Sequence, residues 1–247
     1  MSEFKDHFSA HADSYAKARP TYPRELFSWL AEQCERRELA WDCATGNGQA
    51  AIALAEFFDA VHATDASAAQ IGNAFAHERV RYAVAPAEAS RLPEASCDLV
   101  TVATALHWFD HARFNAEVQR VLKPGGVIAA WAYGLTRVAP EIDAITATFD
   151  EAIVGPWWPP ERRHVDTRYA GIPFPFTRIA APEFEMRVEW DRRQFLAYHS
   201  TWSSVQRYRK ARGHDPLVWM EAELASFWPA EEVRSVRWPL FMLAGRR

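Results

Sequence analysis

Two glycines and a carboxylate are spaced along the sequence in a way that could bind a nucleoside. Gly46 and Gly48 follow an apolar stretch and precede an alanine-rich one, as a turn between a strand and a helix would. Glycine lets the backbone turn sharply and leaves N–H groups open to a ligand. Asp65 follows about 20 residues later, where a carboxylate can accept hydrogen bonds from both hydroxyls of a ribose. The spacing predicts a nucleoside site.

The glycine turn alone leaves two classes of cofactor open. Residues 46–51 fit the permissive G-x-G-x-x-(G/A) pattern of nicotinamide dinucleotide sites. Asp42 argues against a dinucleotide, because it would place an extra anion close to a pyrophosphate. Asn47 and Gln49 add polar bulk at the turn, and no pattern for a hydride-transfer His or Tyr–Lys pair follows.

Strands and helices that would position these residues alternate along the first half of the chain. The predicted strands cover 39–43, 60–64, 80–85, 98–103 and 127–131. The predicted helices cover 24–37, 50–58, 68–76 and 114–121. This alternation implies right-handed crossovers and an α/β fold, a Rossmann-like, doubly wound, mostly parallel sheet.

The alternation stops after the fifth strand. We predict helices at 142–154, 192–198, 203–212 and 217–227, a strand near 184–190 and a final strand at 233–244. The chain is therefore predicted to be one domain, 1–247, with three parts before its final strand. These are an N-terminal lid arm (1–24), a cofactor-binding core (38–133) and a helical cap (about 139–232) inserted after the fifth strand, over the carboxyl ends of the strands.

Successive motifs of the core occur in the order and spacing of a known family. They are the segments 42–48, 64–67, 87–93, 98–100 and 122–126. Over about residues 38–133 they resemble class I S-adenosylmethionine-dependent methyltransferases. Segments 8–23 and 105–110, and more weakly 198–204, resemble the small-molecule branch that contains the trans-aconitate methyltransferases. The resemblance implies S-adenosyl-L-methionine as the cofactor and a small molecule as the acceptor, with a carboxylate or other oxygen receiving the methyl group.

The same resemblance implies a set of cofactor contacts. Asp42 would contact the loop or the amino group of the methionine, and Asp65 would take the ribose hydroxyls. The remaining contacts would come from the glycine turn (Ala44, Gly46, Asn47, Gly48), the adenine side (Ala66, Ala87, Glu88) and the end of the fourth strand (Thr104, Ala105). Pro86 departs from the family pattern, since relatives often place an acidic residue there.

Three residues of the arm and its end have suitable chemistry for the cofactor: Tyr15, Arg19 and Tyr22. A guanidinium can bind a carboxylate through two hydrogen bonds. Aromatic rings attract a cation such as a sulfonium by roughly 0.5–2 kcal/mol. We predict that the arm closes as a lid over cofactor and substrate. The alternative is that its rings pack on the domain and Arg19 is solvated.

His107 follows the fourth strand and is the candidate catalytic residue. A histidine there could act as a general base, or it could only donate a hydrogen bond or pack behind the pocket. His107 and His111 are four residues apart, a spacing found in metal sites, and Asp110 lies beside them. No motif elsewhere in the sequence supplies a further ligand, so we predict no metal.

The second half of the chain is rich in large aromatic residues that could wall a substrate pocket: eight of the 11 tryptophans lie at or after Trp131. If the acceptor is a carboxylic acid, an arginine facing it is expected and no base is needed, because the acid is already ionised at neutral pH. Catalysis would then be mainly alignment of the reacting atoms. The predicted pocket residues are Trp108, Trp131, Tyr133, Trp158, Tyr169, His199, Trp202 and Arg207.

Charge and composition limit the range of partners. The net charge of −4 argues against binding to nucleic acid or an anionic membrane. The charged first residues do not resemble a signal peptide, and the apolar run at 125–135 is too short to span a bilayer, so we predict a cytoplasmic protein. The composition leaves the oligomeric state open.

Three alternative functions remain open. An enzyme of the same fold could direct attack to another carbon next to sulfur, for example in a cyclisation that releases methylthioadenosine. A non-catalytic nucleoside-binding scaffold would bind the cofactor without turnover. A nicotinamide oxidoreductase would use the glycine turn for a dinucleotide.

Overall fold

Five parallel strands form the centre of the sheet in the computed structural model, which describes residues 20–247. The strands are β1 (Leu39–Cys43), β2 (Ala60–Asp65), β3 (Val80–Val84), β4 (Cys97–Ala103) and β5 (Leu122–Tyr133). Their order across the sheet is β3-β2-β1-β4-β5. The mostly parallel, Rossmann-like sheet predicted from the sequence is confirmed.

Three antiparallel strands extend the sheet beyond β5. β8 (Arg234–Arg246) pairs with β5 through its second half. β6 (Thr177–Ile179) and β7 (Glu185–Trp190) pair with successive parts of β8. The first half of β8, paired with β7, belongs to the cap, so one strand ties the cap to the central sheet.

Helices cover both faces of the parallel strands. They are α1 (Arg24–Glu32), α2 (Gln49–Leu54), α3 (Ala68–Gly72) and α4 (His111–Val121). Leu26 and Leu30 of α1 pack into one apolar cluster, and Phe114 and Val118 of α4 pack into another. Burial on both faces explains why β4 is apolar over nearly its whole length.

The cap between β5 and β8 is mainly helical. Its helices are α5 (Pro140–Thr148), α6 (Arg163–Asp166), α7 (Arg192–Ser200), α8 (Ser203–Arg212) and α9 (Leu217–Ala225). A short π-helix (Phe149–Ile153) continues α5, and 3-10 turns follow at Gly155–Trp157 and Pro160–Arg162. The cap has its own apolar cluster, in which Phe149, Trp228 and Trp238 are fully buried.

Several observed elements differ from the predicted ones. α1 ends at Glu32 rather than at 37, and Arg37 folds back so that its Nε donates to the carbonyl of Ala31 at 3.1 Å. β5 begins at Leu122, five residues before the strand predicted at 127–131. α6 and β6 are not predicted, since each is only a few residues long and carries little periodic pattern. No helix between residues 20 and 247 is both long and apolar enough to span a bilayer.

Candidate functional site

The strand order reverses between β1 and β4, and the backbone is unusual at this point. Ala44 and Thr104, the residues that follow these two strands, have φ angles of 56° and 57°. Positive φ is uncommon outside glycine and costs free energy, so such residues cluster at functional sites. A crevice at the carboxyl ends of parallel strands, where their order reverses, is the usual ligand site of such a sheet.

The two glycines of the turn after β1 are required for different physical reasons. Gly48 is buried, has a φ of 90°, and a Cβ added there would lie 2.1 Å from Oη of Tyr82. Gly46 is half-buried with a φ of 58°, and the nearest atom to its added Cβ is Oε1 of Gln70 at 3.9 Å. Gly48 therefore satisfies a packing requirement, whereas Gly46 leaves open space at the turn.

Asp42, near the end of β1, holds the glycine turn through hydrogen bonds. Its side chain is fully buried, and its two oxygens accept hydrogen bonds from the hydroxyls of Thr45 at 2.5 Å and Thr101 at 2.8 Å. Burial raises the pKa of this carboxyl to about 6, and the two hydroxyls oppose that shift. Of the two contacts expected for Asp42, the structure has the one with the loop, because Thr45 belongs to the turn and Thr101 to β4.

Asp65 lies at the end of β2 and faces the same turn. Oδ2 accepts from the N–H of Gly46 at 2.9 Å, and Oδ1 accepts from the N–H of Ser67 at 2.8 Å. These contacts hold the carboxylate half-buried beside Ala66. A carboxylate is an acceptor with about four lone-pair sites, which is the chemistry that the hydroxyls of a ribose require.

The residues predicted to border adenine lie in the loop after β3, and this loop is tied to α4. Ala87 is buried, and Oε1 of Glu88 accepts from the N–H of Asp110 at 3.1 Å, just before α4 begins. Ser90 donates both its N–H and its hydroxyl to the buried Glu117 of α4. The loop after β3 is therefore held in place by carboxylates.

Tyr22 is the arm-end residue that the structure describes. Its hydroxyl lies 3.0 Å from Oγ1 of Thr104, and its ring meets that of Trp131 edge-on at 5.5 Å. The chain leading into α1 thus contacts the end of β4. Tyr15 and Arg19 lie outside the described residues.

A cavity lies between Thr104 and the cap. Its described wall combines the ends of β4 and β5 with residues of the cap. The lining residues are Thr104, His107, Trp108, Tyr133, Gly134, Trp158, Pro159, Arg162, Val165, Tyr198, Thr201, Trp202 and Ser203.

Half of the predicted pocket residues line this cavity: Trp108, Tyr133, Trp158 and Trp202. Trp131 and Tyr169 are fully buried in the two apolar clusters beside the sheet, and His199 is fully buried in the cap. Arg207 is half-buried on α8 and is not part of the described wall. Large rings fill cores as well as pockets, which is why sequence alone does not separate the two groups.

His107 lines the cavity from a short 3-10 turn (Leu106–Trp108) after β4. Its Nδ1 lies 3.3 Å from the hydroxyl of Tyr169. Burial, with the positive charges of Arg162, His164 and His111, lowers the pKa of His107 to about 3. The imidazole is therefore neutral at physiological pH and is a very weak base.

Two further histidines were of interest from the sequence. His199 lies 2.8 Å through Nδ1 from the carbonyl of Phe195, and burial lowers its pKa to about 4. His111 uses Nε2 to contact the carbonyl of Leu106 at 3.0 Å. Within residues 20–247, no three His, Cys, Asp or Glu side chains group closely enough to hold a metal ion.

Sequence reasoning missed several lining residues, of which Arg162 has the most distinctive chemistry. It lies at the end of the turn Pro160–Arg162, in a part of the cap for which the sequence predicts neither helix nor strand. Tyr198 is a second one, on the inner side of α7. The remaining ones are Gly134, Pro159, Val165, Thr201 and Ser203.

Comparisons with known proteins agree with the fold and identify the family. A family model described as a methyltransferase domain matches residues 41–130. A Dictyostelium discoideum protein named as a methyltransferase is 32% identical over 100% of this chain and 97% of its own. A structure from Anaeromyxobacter dehalogenans, described as a type II methyltransferase, has a TM-score of 0.87 and 48% identity over 92% of this chain and 97% of its own.

A further relative names the cofactor. A Saccharomyces cerevisiae protein named as an S-adenosylmethionine-dependent methyltransferase is 30% identical over 52% of this chain and 46% of its own. Similarity across the whole chain decides between the two interpretations of the glycine turn, in favour of S-adenosylmethionine. The chain belongs to the class I S-adenosylmethionine-dependent methyltransferases.

Proposed function

We propose that this methyltransferase acts on a small molecule and that the acceptor atom is a carboxylate oxygen. The carrying observation is the wall of the cavity beside Thr104. Among its described residues, none is Asp, Glu or Lys, and His107 is buried with a pKa of about 3. An acceptor that must lose a proton finds no strong base there, whereas a carboxylic acid is already ionised at neutral pH.

Three features of the cleft at the strand reversal fit the cofactor. The half-buried carboxylate of Asp65 lies beside the glycine turn, Gly46 leaves open space at that turn, and Ala44 and Thr104 adopt positive φ. In this proposal Asp65 binds the ribose hydroxyls, the backbone of Ala44 and Gly46 lines the methionine part, and Thr104 lies near the sulfur. When bound, the cofactor supplies an electrophilic methyl group on a positively charged sulfur.

The protein's contribution to the transfer is alignment and exclusion of water. The acceptor oxygen forms a bond to the methyl carbon while the methyl–sulfur bond breaks, and the sulfur keeps the electron pair. A negative carboxylate and a positive sulfonium become a neutral ester and a neutral thioether. The aromatic part of the wall favours this loss of charge, because separated charges are poorly solvated beside apolar groups. Holding both reactants in line supplies the remaining advantage.

The test incubates the purified protein with S-adenosylmethionine carrying a labelled methyl group and a small-molecule extract. We expect release of S-adenosylhomocysteine and a labelled product that releases methanol in mild alkali, as a methyl ester does. An alkali-stable methylated product would contradict the carboxylate acceptor. Release of methylthioadenosine would instead indicate attack on the aminopropyl chain, and cofactor binding without any turnover would indicate a scaffold.

A further inference from the structure

One arginine of the cap, Arg162, lies in the wall of the acceptor cavity. Its side chain is only 17% exposed, and its guanidinium carbon lies 4.3 Å from the centroid of the Trp158 ring. Trp158 is itself held in place, because its Nε1 donates to Oδ1 of Asp150 at 2.9 Å. Arginine is rarely buried, and here most of its side chain is covered while it lies in a cavity wall. Its position against an aromatic ring beside a cavity therefore indicates a role in binding.

The internal ion pairs of Arg162 use one edge of the guanidinium. Nε lies 2.9 Å from Oδ1 of Asp166, and Nη2 lies 3.9 Å from Oδ1 of Asp150. Within residues 20–247, Nη1 forms no hydrogen bond. The opposite edge, Nη1 with the second hydrogen of Nη2, is a planar fork of two donors that matches a carboxylate. The two acids orient the guanidinium without occupying this edge.

Arg162 also stands out by charge. Among the described residues that line the cavity it carries the only permanent charge; the others are aromatic, apolar, small or neutral polar groups. After burial, its positive charge is the next cause of the lowered pKa of His107, which lies in the same wall. The carboxylates of Asp150 and Asp166 pair with the other edge of the guanidinium, so an anion in the cavity would meet the Nη1 edge among mostly neutral groups.

We propose that Arg162 binds the carboxylate of the methyl acceptor and that the acceptor is an aromatic or unsaturated acid. The rings of Trp108, Trp158 and Trp202 line the same cavity and would cover the flat apolar body of such an acid. Each oxygen of a carboxylate bound to the fork keeps a lone pair for the methyl carbon. This inference rests on the proposed function, because it assigns a part of the acceptor to a residue.

The test measures binding of benzoate and trans-cinnamate, each beside its amide, to the protein saturated with S-adenosylhomocysteine. Tryptophan fluorescence reports binding, since three tryptophans line the cavity. We expect the wild-type protein to bind at least one acid about 10- to 100-fold more tightly than its amide, and Arg162→Gln to lose that preference. The exposed neighbour Arg163→Gln is the matched control and keeps it. Equal binding of both acids and their amides, or a preference that survives in Arg162→Gln, would overturn the assignment.

Two further variants separate ligand binding from a merely structural role. Arg162→Lys keeps the charge without the planar fork, so it should recover part of the preference for acids. Asp166→Asn removes the strongest internal partner of Arg162, and we expect it to keep the preference. A loss in Asp166→Asn equal to that in Arg162→Gln would make the arginine structural and overturn the inference.

Methyl transfer is measured separately, as S-adenosylhomocysteine released in the presence of each acid and of an acidic small-molecule extract. A preference for acids without methylation of any acid would count against the proposed function and leave the anion site standing. Methylation of acids at equal rates by wild type and Arg162→Gln would count against the anion site and leave the function standing.

Discussion

The proposed cofactor cleft, at the ends of β1, β2 and β4, and the proposed acceptor cavity meet at Thr104 but are built differently. The cleft depends on backbone: positive φ at Ala44 and Thr104, two glycines, and N–H groups held by Asp65. The cavity depends on large side chains from the cap, with one arginine among aromatic rings. A site made of backbone tolerates few sequences, whereas a site made of side chains can change its ligand while the fold persists. The difference suggests that the cleft defines the family and the cavity defines the substrate.

Gly48→Ala is the most severe test of a cleft that depends on backbone. Alanine at a φ of 90° is strained, and its Cβ would lie 2.1 Å from Oη of Tyr82. We expect the free energy of unfolding to fall by about 2–5 kcal/mol, measured by urea denaturation. Gly72→Ala is the control, because no atom lies within 4 Å of its added Cβ, and it should change stability by less than about 0.5 kcal/mol.

The strain and the clash at Gly48 can be separated. Within the described residues, Oη of Tyr82 is buried without a hydrogen-bond partner, so Tyr82→Phe should cost little alone. In the double variant it removes the nearest atom and leaves ring carbons at 2.9 and 3.0 Å from the added Cβ. We expect partial rescue of Gly48→Ala. An undiminished loss would assign the whole effect to the backbone angle.

The two regions also respond to acid with opposite sign. In the cleft, burial raises the pKa of Asp42 to about 6, so its contribution to stability is present at about pH 4 and is lost as the pH rises through 6. In the cap, burial lowers the pKa of His199 to about 4 from an ordinary value of 6.5. The unfolded chain then binds the proton more readily, so stability falls as the pH falls from 6.5 to about 4.

His199→Phe tests the acid response of the cap. The ring is replaced by one of similar size, and the titrating group is removed. We expect the acid-induced loss of unfolding free energy to shrink by roughly 2–3 kcal/mol, measured by denaturation across a pH series. Asp42→Asn should act in the opposite direction and make the loss steeper. An unchanged pH profile in His199→Phe would contradict the assignment.

Asp65→Asn tests the cofactor side of the comparison. The amide keeps the size of the side chain, but it removes the charge and one of the two acceptor oxygens. We expect S-adenosylmethionine to bind about 10- to 100-fold more weakly by isothermal titration calorimetry, as for a lost hydrogen bond to a charged group. The exposed Asp59→Asn is the control. Equal affinities for the two variants would remove Asp65 from the cofactor site.

The central strands of the sheet could be predicted from the sequence more accurately than the edges of the sheet. β1 and α8 have the predicted bounds, because each is a clear apolar or helical stretch between turn residues. β6 has no such pattern, since its three residues join the sheet through backbone pairing with β8. α1 ends five residues before its predicted end, and the side chain of Arg37 donates to a carbonyl of its last turn, a contact that periodicity does not report.

The residues that line the cavity were harder to predict from the sequence, because their positions depend on packing between distant segments. Sequence does not distinguish Trp131 from Trp158, yet Trp131 is fully buried in an apolar cluster beside the sheet and Trp158 lines the cavity. An arginine was expected to face the acceptor, and Arg207 was the candidate; Arg162 reaches the cavity only because a 3-10 turn sets it against Trp158. Such placement depends on tertiary packing, not on spacing along the chain.

The smallest expected effect concerns the contact where the two sites meet. Tyr22→Phe removes the hydroxyl that lies 3.0 Å from Oγ1 of Thr104 but keeps the ring against Trp131. Thr104→Val removes the other partner and keeps the branched shape at a positive φ. We expect each variant to lower kcat/KM by a few fold, and a double-mutant cycle to give a coupling of about 0.5–1.5 kcal/mol. The coupling should be larger in kcat/KM than in S-adenosylmethionine affinity if the contact aligns Thr104 for both ligands. Equal coupling in the two measurements would assign Tyr22 to the cofactor cleft alone. No coupling would mean that the cleft and the cavity are joined through the backbone at Thr104 and not through this pair of hydroxyls.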